Sequence, residues 1–211
     1  MLAPHFVKYM LGLVTVLLES SRASYYNRMT EVNDLAPYDG SYYLYSGSVD
    51  TPSYGLLMRT IDLRSAQTSA LVDFFIWYKT EETWDNVLVE VCLDSDTCTT
   101  LPEINGHTSP DPRGLCEENW INELYAFPAH YQTVGKPCSN WGTTGSWNAK
   151  SGTSAGWEHW QFDLGDFIGS EISFSITYQT DWGSSDVGVY IDLISITIDD
   201  IVTATESFEN G

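Results

Sequence analysis

The segment EISFSITYQT, residues 171–180, decides the fold class of this chain. Large side chains alternate in it with small polar ones, and the large ones are Ile172, Phe174, Ile176 and Tyr178. Successive side chains of a β-strand point to opposite faces, so the alternation predicts a strand with one face in a core and the other in water. Such strands build antiparallel sheets.

Other segments after about residue 41 are also typical of strands. They are rich in β-branched or aromatic residues and are bounded by Gly, Pro, Asp or Ser. The predicted strands are Tyr42–Ser46, Leu57–Leu63, Ala70–Lys79, Asn86–Leu93, Trp157–Leu164 and Val187–Asp199. Residues 102–144 are rich in Gly, Pro and Asn, which predicts a long loop. We therefore predict an all-β antiparallel β-sandwich.

The length of the chain, 211 residues, predicts one main domain over residues 24–201. Residues 1–23 fit either a signal peptide or a segment of an upstream domain, and their apolar run is too short to span a membrane. Residues 202–211, which end in SFENG, fit either a linker or the start of a further domain.

Four cysteines are placed so that two disulfides can form. Cys92 and Cys98 flank a short polar turn, where a disulfide would staple a hairpin. Cys116 and Cys138 would then pair across the long loop. Two disulfides would indicate an oxidising compartment, and we predict a secreted, extracellular protein. Four reduced, buried thiols are the alternative.

A formal charge of −20 limits the partners of this chain. It would repel nucleic acid and an anionic membrane surface, so we predict neither as a partner. Abundant carboxylates suit Ca²⁺, which takes oxygen ligands, and they also serve simply to keep a protein in solution.

Two acidic sites are candidates for a structural Ca²⁺. Glu81, Glu82 and Asp85 lie in a turn before a predicted strand, where solvated residues, calcium ligands or a glycosidase pair would all fit. Asp192 lies inside an apolar strand, so it needs a cation or several hydrogen bonds to offset its desolvation. We predict Glu82, Asp85 and Asp192 as calcium ligands, with a hydrogen-bond anchor as the alternative role of Asp192.

Clustered tryptophans are the second functional lead. Indole rings stack on sugars, which predicts glycan binding by Trp141, Trp147, Trp157 and Trp160, whereas core packing is the other ordinary use of such rings. The sequence contains no HExxH, GxSxG or P-loop motif, and its four histidines are scattered. We predict no catalytic residues.

Several separate motifs, in this order, resemble those of a known module. They include DGSYYLYSGSVDTPSYGLLMRTIDL (residues 39–63), SALVDFFIWYKTEETWDNVLVEV (69–91), GTTGSWNAKSG (142–152) and VGVYIDLISI (187–196). This set resembles the jelly-roll modules beside the catalytic domain in the immune inhibitor A family of secreted metallopeptidases and in related bacterial zinc carboxypeptidases. The resemblance covers residues 38–200. It implies a MAM-like or galactose-binding-like sandwich attached to a peptidase.

Three hypotheses of function follow. The first is a non-catalytic accessory module that stabilises or targets a linked metallopeptidase domain. The second is a module that binds a carbohydrate, a glycoprotein or another extracellular protein. The third is a self-associating extracellular structural protein.

Overall fold

The computed structural model describes residues 27–29, 34–48, 51–112, 114–117, 125, 127–184 and 186–209. Within these residues the chain is all β, and the two sheets are antiparallel and packed as a sandwich. The strands are β1 (Asn27–Met29), β2 (Tyr43–Tyr45), β3 (Ser53–Asp62), β4 (Ala70–Lys79), β5 (Asn86–Asp94), β6 (Thr97–Thr100), β7 (Glu158–Asp163), β8 (Glu171–Thr180), β9 (Gly188–Ile198) and β10 (Ile201–Glu206). Short 3-10 turns lie at Gly114–Cys116, Phe127–His130 and Gly165–Phe167.

The strands form two sheets that pack face to face. The first sheet has the order β1-β2-β9-β4-β7, and β10 pairs with the other half of β9. The second sheet has the order β3-β8-β5-β6. Every predicted strand therefore exists, within a few residues at its ends. The sequence pattern missed β1, β6 and β10. The first two are too short to show a clear alternation, and β10 is Thr-rich.

The core lies between the sheets and follows the predicted alternation. In β4 the even-numbered residues from Ala70 to Tyr78 are buried and the odd-numbered residues are partly exposed. In β8 the four large side chains predicted to share a face all enter this core. Trp160 and Phe162 of β7 fill the space between the sheets beside Phe74.

The opposite face of β8 differs from the prediction. Ser175, Thr177 and Gln179 were expected in water, but all three are buried. The cause is part of the long segment between β6 and β7: residues 127–150 lie on the outer face of the second sheet. We call residues 127–150 the covering segment.

The covering segment is fixed to the second sheet by apolar and backbone contacts. Its Tyr131, Trp147 and Ala149 pack with Leu88 of β5. The backbones of Val87 and Lys150 exchange two hydrogen bonds, of 2.7 and 2.8 Å. Gly145 approaches β6 so closely that a Cβ there would lie 2.6 Å from the carbonyl oxygen of Cys98. No bulkier residue fits at this contact.

Both predicted disulfides are present. Cys92–Cys98 joins paired residues of the β5–β6 hairpin, and Cys116–Cys138 ties the short turn at Gly114–Cys116 to the covering segment. The prediction of a long disulfide-clamped loop is therefore confirmed.

Residues 202–209 contribute to the sandwich. Most of them belong to β10, and Phe208 is buried in the main core. The Glu209 carboxylate accepts hydrogen bonds from the N–H groups of Ser41 and Tyr42, both 2.8 Å. The predicted segment 1–23 lies outside the described residues. In the part of the chain that the structure describes, no helix is long and apolar enough to cross a membrane.

Candidate functional site

Three carboxylates meet at one end of the second sheet. They belong to Glu81 and Asp85, in the turn between β4 and β5, and to Asp181, just after β8. One oxygen of each lies within 4.8 Å of the others. Because β5 and β8 are antiparallel partners with Asn86 opposite Gln179, the residue before β5 and the residue after β8 are brought together.

The local backbone holds this group in place. The N–H of Asp181 donates a hydrogen bond to Asp85 Oδ1 at 3.2 Å, and the hydroxyl of Tyr178 donates to Oδ2 at 3.2 Å. The N–H of Asp85 bonds the carbonyl of Glu81 at 3.0 Å, which closes the turn. The three carboxyls are therefore positioned by two strands and one tight turn.

Burial makes this arrangement costly without a counter-charge. Asp85 is 1% exposed and Asp181 is 6% exposed. Burial, opposed by the two hydrogen bonds and aided by the neighbouring carboxylates of Asp181 and Glu81, raises the pKa of Asp85 to about 7. Burial, with the Glu81 carboxylate, raises the pKa of Asp181 to about 6. At neutral pH the group gains from a proton or a cation.

The donor set fits a hard divalent cation. Ca²⁺ takes six to eight oxygen ligands from carboxylates, carbonyls and water, and clustered carboxylates attract it strongly. Glu81, Asp85 and Asp181 offer three carboxylate oxygens that lie within 4.8 Å of one another. A cation there would also tie the β4–β5 turn to the end of β8.

The structure does not bring the predicted calcium ligands together. Asp85 belongs to the carboxylate group, but Glu82 lines a separate polar groove of about 170 Å³ with Asp111 and Lys150. Asp192 lies on the first sheet. From the sequence we considered Glu81 together with Glu82 and Asp85. No pattern within one segment connects Asp181 with a turn 96 residues earlier.

Asp192 has the partners of a hydrogen-bond anchor. It is fully buried, and its carboxylate accepts the N–H of Asp39 at 3.0 Å and the N–H of Leu193 at 2.8 Å. Burial raises its pKa, against these bonds. The side chain thus fastens residues near Asp39 onto β9.

The four predicted tryptophans do not form one surface. Trp160 lies in the main core, where its Nε1 donates a hydrogen bond to Glu158 at 2.9 Å. Trp147 belongs to the covering segment and is buried between that segment and the second sheet. Trp157 is half-buried and donates to the carbonyl of Ala36. Trp141 is 65% exposed on the covering segment.

A continuous group of rings instead covers part of the first sheet. Tyr38 stacks flat on Phe75, with centroids 3.5 Å apart, and Phe75 stacks on His159. The neighbouring ring of Trp77 contacts buried Tyr190 edge-on. The alternation of FFIWYK in β4 places Phe75 and Trp77 on one face, and this was the signal available in the sequence.

Glu90 is a third unusual carboxyl. It is fully buried between the second sheet and the covering segment, and it accepts hydrogen bonds from four hydroxyls, those of Tyr54, Tyr131, Ser175 and Thr177. Burial raises its pKa against these bonds. Because Glu90 is sealed from solvent, we assign it a structural role.

Comparison with family models and with curated proteins found no match to this chain.

Proposed function

We propose that this chain is a non-catalytic, calcium-stabilised accessory module that orients or targets a linked secreted metallopeptidase domain. The sandwich would be a MAM-like or galactose-binding-like jelly roll. Its stability outside the cell would come from two disulfides and one cation.

The calcium part of the proposal is carried by the group Glu81, Asp85 and Asp181. Two of these carboxyls are buried, all three converge, and burial holds the pKa of Asp85 near neutrality. A divalent cation removes the repulsion and the desolvation cost together. The cation would be structural, because it would join a turn to a strand end.

The accessory part is supported by different observations. The ordered motifs quoted above resemble modules that lie beside peptidase domains, and an antiparallel β-sandwich is compatible with that resemblance. Two disulfides suit an extracellular setting. Disulfides and a structural cation would make a rigid module, which is what orienting a second domain requires.

Calcium stabilisation is tested by thermal unfolding of chelated protein at neutral pH. At 100-fold excess over Kd, Ca²⁺ should stabilise by about 2.7 kcal/mol, a rise in Tm of roughly 5–10 °C for a domain of this size. Asp181→Asn should abolish the rise, while Glu82→Gln, next to the group but outside it, should keep it. An unchanged Tm in the parent chain contradicts the calcium site.

The accessory role needs two further measurements. Purified chain without metal should not hydrolyse casein, and any activity that copurifies with the folded chain would overturn the non-catalytic assignment. Immunoblotting of producing cells and medium, with sequencing of flanking peptides, should find a longer secreted chain with a zinc-peptidase motif. A secreted product of about this length alone would overturn the link to a peptidase.

A further inference from the structure

We infer that the outward side of β4 is a binding site for an uncharged polysaccharide. The site, called here the β4 strip, consists of Asp73, Phe75, Trp77 and Lys79, with Tyr38 lying over Phe75. The inference rests on the proposed function, because it names what a targeting module would hold.

The β4 strip is a row of partly exposed residues on the outer face of the first sheet. Alternate residues of a strand repeat at about 6.8 Å, so Asp73 to Lys79 spans roughly 20 Å. The inward residues between them are buried in the core. A row of this length suits several consecutive sugar rings.

The aromatic surface of the strip is open and fixed. Tyr38 is 46% exposed although one face of its ring rests on Phe75 and the ring of Trp157 lies edge-on to it, with centroids 6.3 Å apart. Trp77 is partly exposed and is held against Tyr190, which is fully buried. Rings that are fixed before binding lose little conformational entropy when a ligand stacks on them.

Polar groups stand at both ends of these rings. Asp73 Oδ1 bonds His159 Nε2 at 2.9 Å, and Lys79 Nζ pairs with Asp186 Oδ1 at 2.8 Å. They offer donors and acceptors to hydroxyl groups beside the apolar faces. Pyranose rings present this combination of C–H faces and peripheral hydroxyls.

The charge of the strip selects against acidic ligands. Its cation, Lys79, is already paired with Asp186, and the whole chain carries a formal charge of −20. Polyanions would be repelled. A protein interface is less well matched, since the centre of such an interface is depleted of charge whereas Asp73 and Lys79 are outward residues of this strip.

The test uses the whole chain and purified glycans. Retention on microcrystalline cellulose and on chitin, and Trp fluorescence titration with β-1,4-linked hexasaccharides of glucose and N-acetylglucosamine, should detect binding of at least one. Tyr38→Ala and Trp77→Ala should each weaken it about tenfold, which is the effect of losing one stacked ring. Tyr38→Phe keeps the ring and should keep most of the affinity.

Trp141→Ala is the matched control, because the structure places this exposed tryptophan, which the sequence suggests as a glycan ligand, on the covering segment of the second sheet and not on the β4 strip. It should bind like the parent chain. The inference is overturned if no uncharged glycan binds, if hyaluronate or pectate binds better, or if Trp141→Ala weakens binding while Tyr38→Ala does not. Such a failure leaves the Tm response to Ca²⁺ and the casein result untouched, so it is distinguishable from failure of the proposed function.

Discussion

The outer faces of the two sheets reverse the usual relation between polarity and burial. On the second sheet the outer face carries Glu90, Ser175, Thr177 and Gln179, and all are buried. On the first sheet the outward residues of β4 include the partly exposed rings of Phe75 and Trp77, and Tyr38 above Phe75 is 46% exposed, while Tyr190 and Asp192 of β9 are buried. The difference lies in what covers each face: the second sheet bears the covering segment, whereas among the described residues it is Tyr38 that lies over the outer face of β4, on Phe75.

This comparison shows that polarity on a strand does not reveal solvent exposure. Buried polar groups are stable only when they are hydrogen-bonded. The Glu90 carboxylate accepts hydrogen bonds from four buried hydroxyls. Gln132 and Gln179, by contrast, are buried with no hydrogen-bond partner for their amides among the described residues. The sealed face is therefore where substitution should affect stability most.

The largest effect is expected from Glu90→Ala. The substitution leaves four buried hydroxyls without their acceptor, and we expect it to lower the free energy of unfolding by about 3–5 kcal/mol in urea denaturation. Glu90→Gln keeps the shape and one acceptor, and it should cost about 1 kcal/mol.

Asp73→Ala is the control on the open face. Asp73 is a partly exposed carboxylate paired with His159, so its loss should cost less than about 1 kcal/mol. Equal losses for Glu90→Ala and Asp73→Ala would mean that the covering segment does not seal the second sheet.

The next effect is a loss of stability as pH rises in chelator. The folded chain holds the pKa of Asp85 at about 7, above its ordinary value of 3.8, so the folded state binds more protons than the unfolded state between these values. The stabilising contribution is complete below pH 3.8 and disappears as pH rises through 7. We expect a fall on the order of 2–4 kcal/mol in the free energy of unfolding.

Chemical denaturation between pH 4.5 and 8 in EDTA measures this fall. Asp85→Asn should flatten the profile, and Ca²⁺ at pH 8 should restore stability to the parent chain because the cation replaces the proton. A parent chain that becomes more stable across this range would contradict the raised pKa.

The smallest effect is expected from Trp141→Ala. Its ring is mostly exposed, so the free energy of unfolding should change by less than about 0.5 kcal/mol. Trp147→Ala, six residues later in the same covering segment, removes a buried ring and should cost about 3–5 kcal/mol. Similar costs for the two would show that the covering segment packs differently from the description above.

The sequence by itself determined the sandwich and much of its detail. Alternation in EISFSITYQT and ALVDFFIWYK identifies which residues share a face, because the side-chain period of a strand is two. The turn between Cys92 and Cys98 predicts their pairing, since a hairpin brings paired residues together. These are local properties, and local patterns suffice for them.

Only the tertiary structure decided which faces are covered and which distant residues meet. The alternation of β8 is the same whether Thr177 faces water or the covering segment, so its burial could not be read from the strand. Asp181 joins Glu81 and Asp85 only because β5 and β8 are paired antiparallel in one register. Pairing and covering are long-range contacts, and no periodicity in one segment encodes its neighbours.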